Sequence, residues 1–162
     1  MVLCVVCLMI YLGQSYLPLI IKPASVDFTG VTLNNKVMGS VELLIYDTDQ
    51  LERPLIQEHD LGSSLEDKVT TLLNALRDEL DIWPDELTLS AVYVTEIDGQ
   101  ETAVIDFMYQ INYPHLSLND EWRLLRSITA SLRRNGVNEK VILMNHEPRE
   151  RFLNYLSLSA FD

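Results

Sequence analysis

Residues 88–109 read TLSAVYVTEIDGQETAVIDFMY and carry the clearest structural pattern in the chain. Asp98-Gly99 is a dipeptide that favours the tight turn of a β-hairpin, because both residues tolerate positive φ angles. Apolar and polar side chains alternate on each side of this turn, as expected for strands that are covered mainly on one face. The stretch therefore predicts an antiparallel hairpin with strands at 88–98 and 101–109.

A helical pattern lies on each side of this hairpin. Ser63 and Glu66 have the spacing of a capping box that would begin the first helix. The second helix is predicted to begin near Ser117 or Asn119 and to end at Gly136. The buried face of the first helix is predicted to be Leu65, Val69, Leu72, Leu73, Leu76 and Leu80. The buried face of the second is predicted to be Trp122, Leu125, Ile128, Thr129 and Leu132.

Three further strands complete the predicted fold. They lie at 41–46 (VELLIY), 54–61 and 138–145 (NEKVILMN). The resulting order is β-β-α-β-β-α-β. Two helices can cover one face of a mostly antiparallel sheet, so the order predicts a two-layer α+β sandwich.

The N-terminal segment has the composition of a membrane signal. Residues 2–21 read VLCVVCLMIYLGQSYLPLII and carry no charged side chain. Twenty helical residues span roughly 30 Å, the hydrocarbon thickness of a bilayer. An uncleaved anchor is favoured because no typical cleavage site follows, a cleaved signal peptide is the alternative, and a buried core element is the third interpretation. We expect an anchor or signal at 1–22, a linker at 23–40 and a domain at 41–162.

Charge and cysteine content exclude several classes of protein. The formal net charge of −12 argues against nucleic acid or an anionic membrane surface as a partner. The charge is uneven, since residues 42–106 hold 17 acids and 3 bases while residues 107–162 hold 6 acids and 7 bases. Both cysteines, Cys4 and Cys7, lie in the apolar segment. The rest of the chain therefore has no intramolecular disulfide and no cysteine-based metal site.

We predict no catalytic, metal or cofactor site. The three histidines, His59, His115 and His146, lie in separate parts of the sequence, without a second ligand at metal-binding spacing. Asp98 is explained by the hairpin turn. Asp106 alternates with apolar neighbours, so we expect its carboxylate to be solvated. Two acids at such positions do not make the paired carboxylates of a glycosidase cleft.

Four arginines of the second helix form one arc at about 100° per residue. They are Arg123, Arg126, Arg133 and Arg134. A solvated face with local partners such as Glu121 is one interpretation. The other is a basic patch that docks on the acidic first half of another copy. Complementary patches on different faces give head-to-tail contacts.

The stretch 41–162 resembles the GerMN domain, a module of sporulation and germination proteins and of bacterial envelope proteins. The likeness rests on VELLIY, the helix TLLNALRDEL, the strand end AVIDF at 103–107, and LLRSITASLRRNGVNEKVILM. Two places depart from the family pattern, because Asn145-His146 replaces an Asp-Gly and Asn154-Tyr155 replaces a Gly-His. The resemblance implies an extracytoplasmic module similar to ring-building folds, with a role in protein assembly or cell-wall association.

We therefore expect a non-catalytic interaction module in the bacterial cell envelope, outside the cytoplasm and anchored to the cytoplasmic membrane, or secreted if the leader is cleaved. Its expected partners are other envelope proteins or itself, with peptidoglycan as a further candidate. A glycan-binding module is the alternative, with exposed tyrosines as contacts. The candidates are Tyr93, Tyr109, Tyr113 and Tyr155. A cell-wall hydrolase ranks third, since it needs acids or a metal site that converge in a cleft.

Overall fold

The computed structural model describes residues 37–49, 51–110 and 116–161. The predicted anchor at 1–22 and most of the predicted linker lie outside these residues. The elements are β1 (Met38–Tyr46), β2 (Glu52–Asp60), α1 (Leu65–Glu79), β3 (Leu87–Ile97), β4 (Gln100–Tyr109), α2 (Leu118–Arg134), β5 (Lys140–Met144), β6 (Glu147–Pro148) and a 3-10 helix (Leu158–Phe161).

The described strands form two sheets. β1 and β2 pair antiparallel, and the other four lie in the order β3-β4-β5-β6, in which the β4–β5 pair alone is parallel. The predicted α+β class with two helices and mostly antiparallel strands is confirmed. The prediction did not include the division into two sheets, the short β6 or the 3-10 helix. β1 also begins at Met38, since backbone pairing with β2 extends past the apolar run.

The central hairpin forms as predicted. Asp98 has φ 52° and Gly99 has φ 78°, and Ile97 pairs with Gln100 across the turn. Farther down the hairpin, Tyr93 pairs with Val104. Because partner residues point to the same face, this register separates an inner face of the sheet from an outer one.

One hydrophobic core joins both sheets and both helices. Ala103, Ile105 and Phe107 of β4 are fully buried and point to the inner face. The same cluster contains Leu72, Leu73 and Leu76 of α1, Leu124, Leu125, Ile128 and Leu132 of α2, and Val41, Leu43 and Ile45 of β1. Both helices therefore lie on the inner side of the four-stranded sheet, as predicted. Trp122, predicted to be buried, is half-buried.

The predicted start of α1 was wrong by one residue. Ser64 is the N-cap, and its Oγ accepts the Asp67 N–H at 3.1 Å. The Asp67 carboxylate in turn accepts the backbone N–H groups of Ser63 and Ser64, both at 3.3 Å. Two adjacent serines each precede an acid by three residues, so Ser63 with Glu66 gave the same pattern. Ser117 is the N-cap of α2, as predicted.

Helix α2 lies along the edge of β1 and satisfies its backbone. The Leu44 N–H donates to Ser131 Oγ at 2.8 Å, and the Tyr46 N–H donates to Ser127 Oγ at 3.2 Å. At the helix C-terminus, Asn135 accepts the Glu42 N–H at 3.1 Å and donates to the Glu42 carbonyl at 2.8 Å. Side chains at every fourth position of α2 thus bond the edge of β1 that does not pair with β2. They take the place that a neighbouring strand would have in a larger sheet.

We predict that Ser131→Ala lowers the free energy of unfolding by about 1–3 kcal/mol, because it leaves the buried Leu44 N–H without an acceptor. Urea denaturation of the variant and the parent protein measures the difference. Ser63→Ala is the control, since Ser63 is exposed and its side chain has no such role; its change should stay within about 0.5 kcal/mol. Equal losses in the two variants would contradict the role of Ser131.

Candidate functional site: a basic groove beside helix α2

A groove of about 460 Å³ lies between β1 and the outward side of α2. It exists because alternation along β1 turns Leu44 and Tyr46 away from the core face of Leu43 and Ile45. Its lining residues are Leu44, Tyr46, Glu52, Arg126, Thr129, Ala130, Arg133 and Arg134. Three of the four arginines singled out in the sequence therefore meet in one groove.

One end of the groove is organised around Tyr46. The Arg126 guanidinium carbon lies 5.6 Å from the centre of the Tyr46 ring, and Trp122 contacts the same ring edge-on with a centroid distance of 5.5 Å. The Tyr46 hydroxyl donates to Glu52 Oε2 at 2.8 Å. Burial, and then the hydrogen bond to Glu52, raise the pKa of Tyr46. The cation of Arg126 is thus held in place by an aromatic face.

At the other end, two neighbouring arginines differ in their partners. Arg134 Nε lies 2.9 Å from Glu42 Oε2, and this hydrogen bond raises the pKa of Arg134. Arg133 is exposed and makes no ion pair with any residue in the described part of the chain. At Arg133 the groove therefore presents a guanidinium that pairs with no acid in the described part of the chain.

Arg123 does not belong to this surface, so the prediction of a four-arginine face needs correction. Its side chain is only 7% exposed, and its Nε donates to the Tyr46 carbonyl at 2.9 Å. Its terminal nitrogens lie 3.2 Å from Asp120 Oδ1 and 3.5 Å from Asp81 Oδ1. Arg123 therefore continues the row of α2 side chains that bind the β1 edge.

The expectation that Asp106 is solvated was wrong. Asp106 is 2% exposed, and its carboxylate accepts the backbone N–H of His146 at 3.0 Å and contacts His146 Nδ1. The turn between β5 and β6 places His146 there. Its residues Asn145 and His146 have φ angles of 56° and 67°, and the Asn145 amide bonds the backbone of Tyr109. An Asn in a two-residue turn between apolar and polar runs is a signal that could have located this hairpin.

Glu121 is a second buried acid with a structural task that the sequence did not reveal. It is fully buried, and its carboxylate accepts the N–H groups of residues 153–156 at 2.9–3.3 Å. In the sequence, Glu121 was interpreted only as a local partner for the arginines of the second helix. The carboxylate instead fixes the loop that precedes the 3-10 helix.

The three candidate tyrosines in the described part of the chain differ in their placement. Tyr93 is 57% exposed on the outer face of the four-stranded sheet, whereas Tyr109 is paired with buried Leu87 and packs against the core. Tyr155 is exposed on the loop held by Glu121. Tyr113 lies outside the described residues. Among the described residues, the three candidate tyrosines thus lie on separate elements, and the glycan-binding alternative stays a prediction.

In the described part of the chain, neither the histidines nor a second groove forms a cluster of metal-binding side chains. His59 Nε2 contacts Gln57 Oε1 at 2.8 Å, and His115 lies outside the described residues. Within the described ranges, no three His, Cys, Asp or Glu side chains are grouped as metal ligands. A groove of about 560 Å³ beside the start of β5 is lined by Ser157 and Ser159, with Glu150 as its one acid.

Comparisons with known proteins give one structural alignment. No protein-family model matches the chain, and no curated protein matches it. A 2.5 Å crystal structure of a Clostridium perfringens protein, described provisionally as a lipoprotein, aligns with a TM-score of 0.47 and 16% identity. The alignment covers 81% of this chain and 89% of that one. Among the residues described here, no helix is long and apolar enough to cross a membrane. The GerMN resemblance stays a prediction.

We predict that Glu121→Gln destabilises the protein by about 1.5–3 kcal/mol, because the carboxylate bonds several backbone N–H groups and an amide presents donors of its own to them. Amide hydrogen exchange at residues 153–156 should become faster than in the parent. Glu147→Gln, at an exposed acid in β6, is the control and should change neither quantity. Unchanged protection at residues 153–156 would show that Glu121 does not hold the loop.

We predict a favourable coupling between Asp106 and His146. Asp106→Ala alone should cost about 1–3 kcal/mol, because His146 then keeps its left-handed backbone without the carboxylate that holds it. His146→Gly added to Asp106→Ala should recover part of this loss, since glycine adopts positive φ without strain. Thermal or urea unfolding of the parent, both single variants and the double variant gives the coupling. Strictly additive losses would contradict it.

Proposed function

We propose that the protein is a non-catalytic, extracytoplasmic interaction module, tethered to the bacterial cytoplasmic membrane by residues 2–21, that assembles head-to-tail with other copies of itself. The observation that carries this proposal is the groove beside α2, in which exposed Arg133 has no acidic partner within the described residues. Residues 42–106 hold 17 acids and 3 bases. Of these acids, Glu52 lines the groove and Glu42 pairs with Arg134, whereas the acids of the β3–β4 hairpin lie on strands that do not line it.

The groove has the composition of a contact surface. Arg126 is stacked on Tyr46 and Arg134 is held by Glu42, so two guanidinium groups are oriented before a partner arrives. Arginine on aromatic and apolar surface is enriched in protein interfaces, because its guanidinium stacks and binds carboxylates in a planar geometry. Leu44 and Ala130 add apolar side chains to the lining of the groove. The surface fits an acidic protein partner.

The expected association is weak and dependent on salt. An exposed ion pair contributes about 0–1 kcal/mol and is screened at high ionic strength. Several such pairs give a modest affinity between copies in solution. Anchoring at a membrane raises the effective concentration of the copies, so that a weak contact suffices for assembly. In this arrangement the apolar segment at 2–21 provides the anchor, and the acidic residues of one copy provide partners for the groove of the next.

The buried acids support a non-catalytic role. Asp106 holds the turn at His146, and Glu121 holds the loop at residues 153–156. Each carboxylate is therefore engaged with backbone N–H groups, which is the task that buried polar groups most often have. The absence of cysteine after residue 7 is compatible with an oxidising compartment. These features support an assembly role in the envelope.

We predict that the full chain in detergent associates reversibly at low salt and dissociates at high salt. Arg133→Glu should abolish the association by placing a like charge opposite the acidic partner surface. Sedimentation velocity at about 20 mM and 500 mM ionic strength measures both effects. The Debye length is above about 10 Å at the lower ionic strength and well below it at the higher, so the ion pairs are screened only at high salt.

Arg77→Glu is the matched control, since it makes the same change of charge on the exposed side of α1. It should leave the association almost unchanged. A protein that stays monomeric at both ionic strengths would remove the proposed self-assembly. Equal effects of the two substitutions would show that net charge, and not the groove, governs association.

A further inference from the structure

We propose that the tip of the β3–β4 hairpin of one copy enters the basic groove of the next copy, with Glu96 and Glu101 of the tip binding Arg133. This inference rests on the proposed self-assembly and names the two surfaces that meet. It is carried by the position of the tip, by a pair of like charges at its base, and by the Arg133 guanidinium, which pairs with no acid in the described part of the chain.

The tip extends beyond the hydrophobic core. Ala103 is fully buried and is the last core residue of β4 toward the turn, opposite Val94 of β3. Three residue pairs follow before the Asp98-Gly99 turn, and at about 3.3 Å per residue they extend roughly 10 Å. All residues from 95 to 101 are exposed. This length and narrow shape suit insertion into a groove.

The tip carries a pair of like charges that a cation would stabilise. Glu96 and Glu101 are direct cross-strand partners, so both carboxylates lie on the same face of the hairpin. Like charges in directly opposed positions destabilise a hairpin. Neither acid makes an ion pair in the described part of the chain. A guanidinium placed between the two carboxylates would offset their repulsion and donate hydrogen bonds to both.

The groove supplies this guanidinium. Arg133 is exposed without an acidic partner among the described residues, and Arg126, stacked on Tyr46, lines the same groove. The two acids at the groove are already engaged, since Glu42 pairs with Arg134 and Glu52 accepts the Tyr46 hydroxyl. The third acid of the tip, Asp98, sits at the turn and would lie among these charges. Ile97 next to it is 42% exposed, and the groove lining offers it the apolar side chains of Leu44 and Ala130. Charge and apolar surface are therefore complementary between tip and groove.

The contact is heterologous, because tip and groove are different surfaces of one chain. Each copy offers its tip to one neighbour and its groove to another, which builds a head-to-tail chain or a closed ring. In the described residues, no ion pair joins the tip acids to the groove arginines of the same copy. A second copy is thus the partner that this geometry calls for.

A charge-swap experiment on the full chain in detergent tests the inference. The Glu96→Arg/Glu101→Arg double variant and Arg133→Glu should each weaken self-association at low salt by at least about tenfold, which corresponds to about 1.4 kcal/mol. The triple variant Glu96→Arg/Glu101→Arg/Arg133→Glu should regain most of the lost affinity, because the charges are exchanged across the same contact. Sedimentation velocity over a concentration series gives the dissociation constants.

The control is Glu58→Arg/Asp85→Arg, which makes the same change of net charge at two exposed acids outside the tip. It should retain the parent's affinity. If it weakens association as much as the tip variant, or if the triple variant is not restored, the tip is not the partner surface. If Arg133→Glu weakens association and the tip double variant does not, the inference is overturned while the proposed self-assembly stands. No association of the parent at any salt would overturn both.

Discussion

The fold depends on the edge of β1, where side chains of α2 make the backbone hydrogen bonds that a neighbouring strand would otherwise make. Ser127 and Ser131 accept the backbone N–H groups of Tyr46 and Leu44, and Asn135 bonds both backbone groups of Glu42. A buried strand edge without acceptors would cost about 1–3 kcal/mol for each unpaired N–H. Because α2 supplies them, the β1–β2 hairpin, the helix and the four-stranded sheet share one core.

The same contact determines which side of α2 faces outward. With Arg123 and the serines turned to β1, and with Leu125 and Ile128 turned to the core, the remaining positions bring Arg126 and Arg133 to the surface beside Tyr46. A groove with a fixed pattern of positive charge follows from the packing of the helix. Glu96 and Glu101 at the hairpin tip are not fixed by such packing. Their strands continue past the core, so both carboxylates stay in solvent.

The elements that local pattern determines could be predicted from the sequence. The Asp98-Gly99 hairpin and the two helices depend on residues a few positions apart, and all three formed. Long-range partners could not be predicted. Asp106 meets His146 40 residues later, Glu121 bonds a loop 32–35 residues away, and Leu44 bonds Ser131 across 87 residues. Sequence alternation showed that Asp106 points away from the core, but it could not show that a later turn covers that carboxylate.

Arg123 shows the same limit within the candidate site. Helical spacing placed Arg123 in one arc with the other arginines, but spacing cannot reveal that a strand edge occupies its side of the helix.

Site-specific disulfide formation between two different copies tests the proposed assembly most directly. One copy carries Ile97→Cys at the tip, the other carries Ala130→Cys in the groove, and Cys4 and Cys7 are replaced by serine in both. A disulfide forms only when the two Cα atoms come within about 7 Å. If the tip binds the groove, a mixed disulfide-linked dimer forms at low salt and disappears at high salt. Absence of this dimer at low salt, or equal yield when the first cysteine is moved to Ser90 outside the tip, would show that the tip does not enter the groove.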